Sequence, residues 1–211
     1  MALILPFPAL HETSFQQHTD LPEQELWESL RQGNEAALAQ LHKTYYKSLF
    51  RYGVKLSHNP DISEDCIQDL FANLWASRQQ ISAVQSIKFY LFTSYRRLVL
   101  VHLKKQQKLL TQIFKPDATI VFSAEEITVQ SEANHEIAQK LTSLLNNLPK
   151  RQREVLYLRY YEDLSLTEIA QLMDLSYQSV LNYIQRALTN IRQQPEITVL
   201  LSRSSLKLVT S

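Results

Sequence analysis

The sequence predicts an all-α protein of two small helical domains joined by a flexible linker, the C-terminal one a helix-turn-helix. Three observations lead there. Glycine is nearly absent, with only Gly33 and Gly53 in 211 residues, and the chain is rich in good helix formers such as Leu, Gln, Glu, Lys and Arg. Apolar residues recur at helical spacing along most of its length. Near the C-terminus the run from Leu164 to Arg192, LSLTEIAQLMDLSYQSVLNYIQRALTNIR, has the form of two short helices meeting at a tight turn.

In chain order, residues 1–22 read as an extension: MALILPFPAL is apolar but has two prolines and no basic start, so it is neither a signal nor a membrane span. A first helix covers about 23–32, and Gly33-Asn34 interrupts it. A second runs over 35–57, with Leu38, Leu41, Tyr45, Leu49, Tyr52 and Leu56 along one face. His58-Asn59-Pro60 ends it, because proline cannot continue a helix. The third helix, 61–77, is expected to start with Asp61 and Glu64 as a capping box. Its stripe is Ile67, Leu70, Phe71 and Leu74 with Trp75 beside it, and Cys66 reads as a half-buried structural thiol. A loop of about 78–86 leads to a long helix, 86–109, with Leu91, Phe92, Leu98 and Val101 assigned inward.

Residues 111–132 lose any sustained period; Ile120-Val121-Phe122 is a short β-like run between Pro116 and acidic residues, and the stretch reads as the linker. Helices resume over 132–147, 149–161, 165–173 and 176–194, with Pro149 in the first turn of its helix and Pro195 closing the last. The domains are therefore 23–110 and 133–194, separated by 111–132 and followed by a tail, 195–211.

Composition narrows the chemistry. A formal net charge of +1 gives no overall field toward nucleic acid, so such binding must rest on local charge. One cysteine excludes an internal disulfide and a cysteine-rich zinc site. Six histidines are scattered without metal-ligand spacing, and there is no Gly-rich phosphate loop. No cofactor, metal, small-molecule substrate or catalytic activity is expected, and the chain reads as cytoplasmic.

Three surfaces carry the binding chemistry. In the helix-turn-helix, Ser165 and Glu168 form a capping box, and Leu166, Ile169, Ala170 and Met173 face inward. Asp174 makes the turn, Leu175 plugs it, and Val180, Ile184, Ala187 and Ile191 anchor the second helix. That leaves Ser176, Tyr177, Gln178, Ser179, Asn182, Tyr183 and Arg186 outside: Gln and Asn can pair with adenine edges, while Tyr, Ser and Arg reach phosphate or sugar. Helix 86–109 has Lys88, Arg96, Arg97, Lys104, Lys105 and Lys108 and no acid, interleaved with Phe89, Tyr90, Phe92 and Tyr95. Cations that hold phosphates beside rings that stack on bases suit opened DNA. Helix 61–77 has the opposite sign, with Asp61, Glu64, Asp65, Gln68 and Asp69 around its outer face, which fits a protein partner. The helix dipole accounts for the first three acids alone.

Taken together, FRYGVKLSHNPDISEDCIQDLFANLW, IKFYLFTSYRRLVLVHLKKQQK and LPKRQREVLYLRYYEDLSLTEIAQLMDLSYQSVLNYIQRALTNIR resemble, in this order, a bacterial RNA polymerase sigma factor of the extracytoplasmic-function class. The resemblance covers about 25–110 and 135–193. It implies a promoter-specificity subunit that binds core RNA polymerase and promoter DNA and directs initiation at a subset of promoters. Asp65, Gln68, Asp69, Phe71 and Trp75 would dock on core polymerase. Loop 78–87 and the following helix, through Lys88, Tyr90, Tyr95, Arg96, Arg97, Lys104 and Lys105, would open and read the minus-ten element. Ser176, Tyr177, Gln178, Ser179, Asn182, Tyr183 and Arg186 would read the minus-thirty-five element. The linker acids Asp117, Glu125, Glu126 and Glu132 would mimic nucleic acid along the RNA exit path, and an anti-sigma factor, membrane-linked in many such systems, would be a further partner. The chain departs from the common pattern at Arg97, Val101 and Lys104, where many relatives carry Asn, Asp and Arg; this bears on minus-ten base choice, not on phosphate binding. The alternatives are a free-standing helix-turn-helix regulator with a helical sensor domain, and a helical adaptor that binds no DNA.

Overall fold

The computed structural model describes residues 22–109, 119–124 and 132–193. The expectations for the extension, for Asp117, Glu125 and Glu126, for the side chains of Lys108 and Glu132, and for Pro195 and the tail lie outside the described residues. The described chain is helical and divides into two compact units between Thr119 and Ile120.

The first unit holds α1 (Glu23–Arg31), α2 (Glu35–Ser57), α3 (Pro60–Ala76) and α4 (Ile87–Leu109). Local chemistry sets each boundary. Gly33 takes φ +91°, which breaks the chain direction after α1. The Asn34 side chain then accepts from the Ala36 and Ala37 amides at 2.9 and 3.4 Å and starts α2. His58 closes α2 in the left-handed region, φ 56°. The expected Asp61–Glu64 box is not what starts α3. Pro60 occupies the first turn, and Asn59 caps the Asp61 and Ile62 amides at 2.8 and 3.3 Å. Proline suits a first turn that needs no amide, so the helix begins one residue earlier and the cap moves to Asn59.

α2, α3 and α4 pack on one another, and α1 lies across α2 and α4. From α2, Ala37, Leu41, Tyr45, Leu49, Tyr52 and Leu56 are buried, with Ala37 in place of the half-exposed Leu38. The seam of α4 is Ile87, Leu91, Tyr95, Val99 and Leu103 with Phe92. This straight i, i+4 ridge differs from the expected one. Leu98 is half-buried, and Val101, on the opposite side of the helix from Val99, is 44% exposed.

One polar pin crosses this core. The Ser63 hydroxyl donates to the Phe50 carbonyl at 3.0 Å and lies 2.8 Å from the Tyr95 hydroxyl, which also reaches the Ser63 carbonyl at 3.2 Å. Gly53 makes the close approach possible, since a Cβ there would overlap the Tyr95 hydroxyl and crowd Ser63.

The second unit holds α5 (Glu132–Asn146), α6 (Lys150–Tyr160), α7 (Leu166–Met173) and α8 (Tyr177–Arg192). Pro149 is the N-cap of α6, one position before the first turn expected for it. α8 packs on α5, α6 and α7, burying Val180, Ile184, Ala187 and Ile191 as expected. From α7, Ile169, Ala170 and Met173 are buried, joined by Leu172, while Leu166 is half-exposed.

Residues 120–124 belong to this unit, which the reading of 111–132 as a uniform linker did not anticipate. They form no strand, yet Ile120 and Phe122 are buried and Val121 between them is exposed. The Asn146 amide stands in for a neighbouring strand: it accepts from the Phe122 N–H and donates to the Phe122 carbonyl, both at 2.9 Å. The Phe122 ring lies 5.7 Å from that of Tyr161, which stacks on Tyr157.

Candidate nucleic-acid interface

Because α3 buries Ile62, Cys66, Ile67, Leu70 and Leu74 toward α2 and α4, its opposite face is set by helical periodicity. Asp61, Glu64, Asp65, Gln68 and Asp69 are exposed there. Phe71 does not join them. It is 6% exposed, with the His42 ring edge-on at 4.9 Å, because its position continues the buried stripe of α3. Trp75 is half-buried and covered by the Arg78 guanidinium at 4.2 Å. Beneath this face lies Cys66, 1% exposed and therefore more deeply buried than expected. Burial, with Asp69 and Asp65 adding to it, pushes its thiol up to about 11, the range of an inert structural cysteine.

The basic surface is on α4. Arg97, Val101, Lys104 and Lys105 are exposed at spacings that place them along one ridge, and Lys88, Tyr90 and Arg96 are half-buried. Lys88 sits 5.7 Å from the Phe92 ring centroid. Tyr95 is not on this surface: its exposure is 0%, and its hydroxyl is spent on Ser63. Burial raises its pKa well above the ordinary tyrosine range, and the Ser63 hydrogen bond offsets part of that. The aromatics therefore split by depth. Phe92 and Tyr95 fill the core, while Phe89 and Tyr90 reach the surface. Periodicity separates the two classes only when the seam is placed on the 87–91–95–99 ridge.

The loop between α3 and α4 opens with a turn, the Gln80 amide donating to the Ser77 carbonyl at 2.8 Å. It closes at Ser86, whose hydroxyl accepts from the Phe89 amide at 3.1 Å. Gln79, Gln80, Ser82, Ala83 and Gln85 are exposed on it. α1, which carries none of the expected site residues, holds this loop. The Trp27 indole N–H donates to the Ser82 carbonyl at 3.0 Å, and Arg31 Nε donates to the Ile81 carbonyl at 2.8 Å. A Trp and an Arg four residues apart on a short amphipathic helix were the available signal.

In the second unit, geometry presents the start of α8. Ser165 and Glu168 close both halves of the capping box, the Glu168 amide donating to the Ser165 hydroxyl at 3.2 Å and the Ser165 amide to the Glu168 carboxylate at 2.8 Å. Asp174 turns the chain at φ 55°, a conformation that a short polar side chain tolerates. The half-buried Leu175 returns its amide to the Ala170 carbonyl at 2.8 Å. Ser176 then caps α8 through the Ser179 amide at 3.1 Å. Ser176, Tyr177, Gln178 and Arg186 are exposed, and Ser179, Asn182 and Tyr183 are half-buried. Gln178 donates to the Asn182 side chain at 3.0 Å, so the two amides form one unit that could address a base edge together. All seven residues expected at this surface are brought together on the outer side of α8.

Among the described residues no helix is long and apolar enough to cross a membrane, and no His, Cys, Asp and Glu group could hold a metal ion.

Comparison with known proteins follows this division. The family model described as Sigma-70 region 2 matches residues 41–109, and that described as Sigma-70, region 4 matches residues 138–191. RNA polymerase sigma factor SigV of Bacillus subtilis is 25% identical over 164 residues, 78% of this chain and 94% of SigV. ECF RNA polymerase sigma factor SigM of the same organism is 24% identical, over 70% of this chain and 88% of SigM. Among solved structures, CnrH in complex with the cytosolic domain of CnrY aligns with a TM-score of 0.54 at 19% identity, over 87% of this chain and 99% of CnrH. Sigma factor RpoE in complex with the anti-sigma factor NepR from Bartonella quintana aligns with the same TM-score at 20% identity, over 79% of this chain and 97% of RpoE. These two carry the fold.

Proposed function

The chain belongs to the sigma-70 family, in its extracytoplasmic-function class of promoter-specificity subunits without catalysis of their own, and we propose how its surfaces divide that work. The acidic face of α3, with Asp65, Gln68 and Asp69 and with Trp75 at its edge, docks on core RNA polymerase. The α3–α4 loop and the basic ridge of α4 engage the minus-ten region, Arg97, Lys104 and Lys105 on phosphates and Lys88, Tyr90 and Arg96 nearer the loop. The start of α8 reads the minus-thirty-five region, with the coupled Gln178–Asn182 pair facing bases and Arg186 on the backbone.

The observation that carries this reading is the sign of the two helix faces. One compact unit presents an exposed acidic stripe on α3 and an exposed basic ridge on α4. Such a unit can hold a protein and a nucleic acid at once, and complementary charge gives each its orientation. The near-neutral whole chain fits a protein whose DNA affinity is supplied in part by its partner. An anti-sigma factor is the natural antagonist, as NepR is the anti-sigma factor in the RpoE complex, and it would act in the cytoplasm by covering the polymerase-binding face.

The test is run-off transcription by core polymerase on fragments of the source genome, with Asp65→Arg/Asp69→Arg as comparator. Specific transcripts that disappear with the double variant support the reading. A retarded duplex band from the chain alone, without polymerase binding, supports a free-standing regulator instead.

A further inference from the structure

We propose that α1 is a clamp that pre-forms the promoter-reading loop between α3 and α4, with Trp27 and Arg31 as its positioning residues. This rests on the reading above, in which that loop meets the minus-ten strand.

Three side chains on one face of α1 reach three carbonyls of the loop, in reverse order. Gln24 donates to the Gln85 carbonyl at 3.3 Å, Trp27 to Ser82 at 3.0 Å and Arg31 to Ile81 at 2.8 Å. The loop therefore runs antiparallel across the helix. Spacings of three and four residues put the donors in a line, as a helix face requires. Residues 81–86 lie in no helix or strand, so side chains supply partners that a ladder would otherwise provide.

The donors are themselves held. Trp27 is 1% exposed, and its ring meets that of Tyr90 edge-to-face at 5.1 Å. One residue thus fixes both the loop backbone and an aromatic of the DNA-facing helix. Arg31 is oriented from its far end, Nη1 lying 2.5 Å from Glu28. The backbone points inward to α1 and the side chains of Gln79, Gln80, Ser82 and Gln85 remain outside, so the loop offers polar groups to a strand without first having to fold. These contacts involve carbonyls only, so the loop's side chains can vary while its shape is kept.

The experiment uses holoenzyme assembled from the full chain and core polymerase. The probe is a labelled single-stranded non-template segment, spanning the minus-ten region, from a promoter that wild-type holoenzyme transcribes. Trp27→Phe removes the indole N–H together with part of the buried ring, whereas Arg31→Met keeps the stem but removes the donors and carries the test free of that loss of packing. Each is expected to weaken strand binding about threefold to tenfold, the scale of one hydrogen bond, and to flatten base preference. Arg31→Lys is expected to recover part of the loss. Affinity for core polymerase and for a minus-thirty-five duplex should stay at the wild-type value, and amide exchange should quicken over 79–85 alone. Wild-type strand affinity and base preference in both variants would overturn the clamp, as would an equal loss of core, strand and duplex binding, the mark of simple destabilisation. A wild-type holoenzyme that transcribes nothing would overturn the functional reading, and the clamp with it.

Discussion

The four-helix unit and the helix-turn-helix unit both present polar groups to a partner, but they use different parts of a helix to do so. In the first unit the presenting surfaces are the long faces of α3 and α4, and what aims them is a core seam several turns long. In the second it is the first three turns of α8, aimed by caps and by the left-handed Asp174. A long face tolerates loss of a single contact but depends on which residue lies inward. A helix start depends in addition on a few hydrogen bonds at its cap, above the buried set that anchors α8. The two units should therefore fail differently when changed.

The largest effect is expected where the seam itself is cut. Phe71→Ala should cost about 3–4 kcal/mol in chemical denaturation of the full chain, as removal of a buried aromatic does. If Phe71 instead served as a surface contact, stability would hold and only polymerase binding would fall. Gly53→Ala should cost about 3 kcal/mol by forcing Tyr95 away from Ser63. A variant as stable as the wild type would show that α4 does not need that approach.

The helix start should respond more mildly. Ser165→Ala removes one half of the capping box and is expected to cost about 1 kcal/mol in the same assay. Loss of DNA selectivity should stay small as long as Ser176 still caps α8. On the basic ridge, Arg97→Gln, Lys104→Gln and Lys105→Gln should each lower the salt dependence of promoter binding by about one counterion while leaving sequence preference in place. A change in preference with an unaltered salt slope would move those residues from phosphate to base.

The smallest effect concerns Cys66. Its ordinary value of 9.0 is raised to about 11 in the folded chain, so the folded state holds the proton more tightly than the unfolded state. The stability this contributes is complete below pH 9 and is lost as pH rises toward 11. Cys66→Ala should flatten that slope in denaturation midpoints taken across the alkaline range, and an unchanged slope would assign it to the buried tyrosines.

Legibility followed the same divide. The capping box at Ser165, the left-handed Asp174 and the buried set on α8 could be read from the chain because each depends on residues within one turn of one another. Element order was readable for the same reason. Depth on α3 and α4 was not. Tyr95 and Val101 were misplaced because a helix rich in aromatics offers more than one plausible seam, and only packing selects one; Phe71 lies on the buried stripe that periodicity gave it, and only the family resemblance set it on the docking face. The Asn59 cap was missed because Asp61 and Glu64 imitate a capping box two residues too late. Asn146 pairing with Phe122, and α1 reaching the α3–α4 loop, join segments 24 and about 50 to 60 residues apart. No local pattern announces a side chain that serves a distant carbonyl.

The central claim is that docking and promoter reading sit on separate faces. It is tested most directly by measuring core-polymerase affinity and minus-thirty-five duplex affinity, side by side, for Asp65→Arg/Asp69→Arg and for Arg186→Glu. The account predicts a clean crossing: the first variant loses core binding and keeps the duplex contact of its C-terminal unit, and the second does the reverse. Loss of both affinities in either variant, with the fold intact, would contradict it.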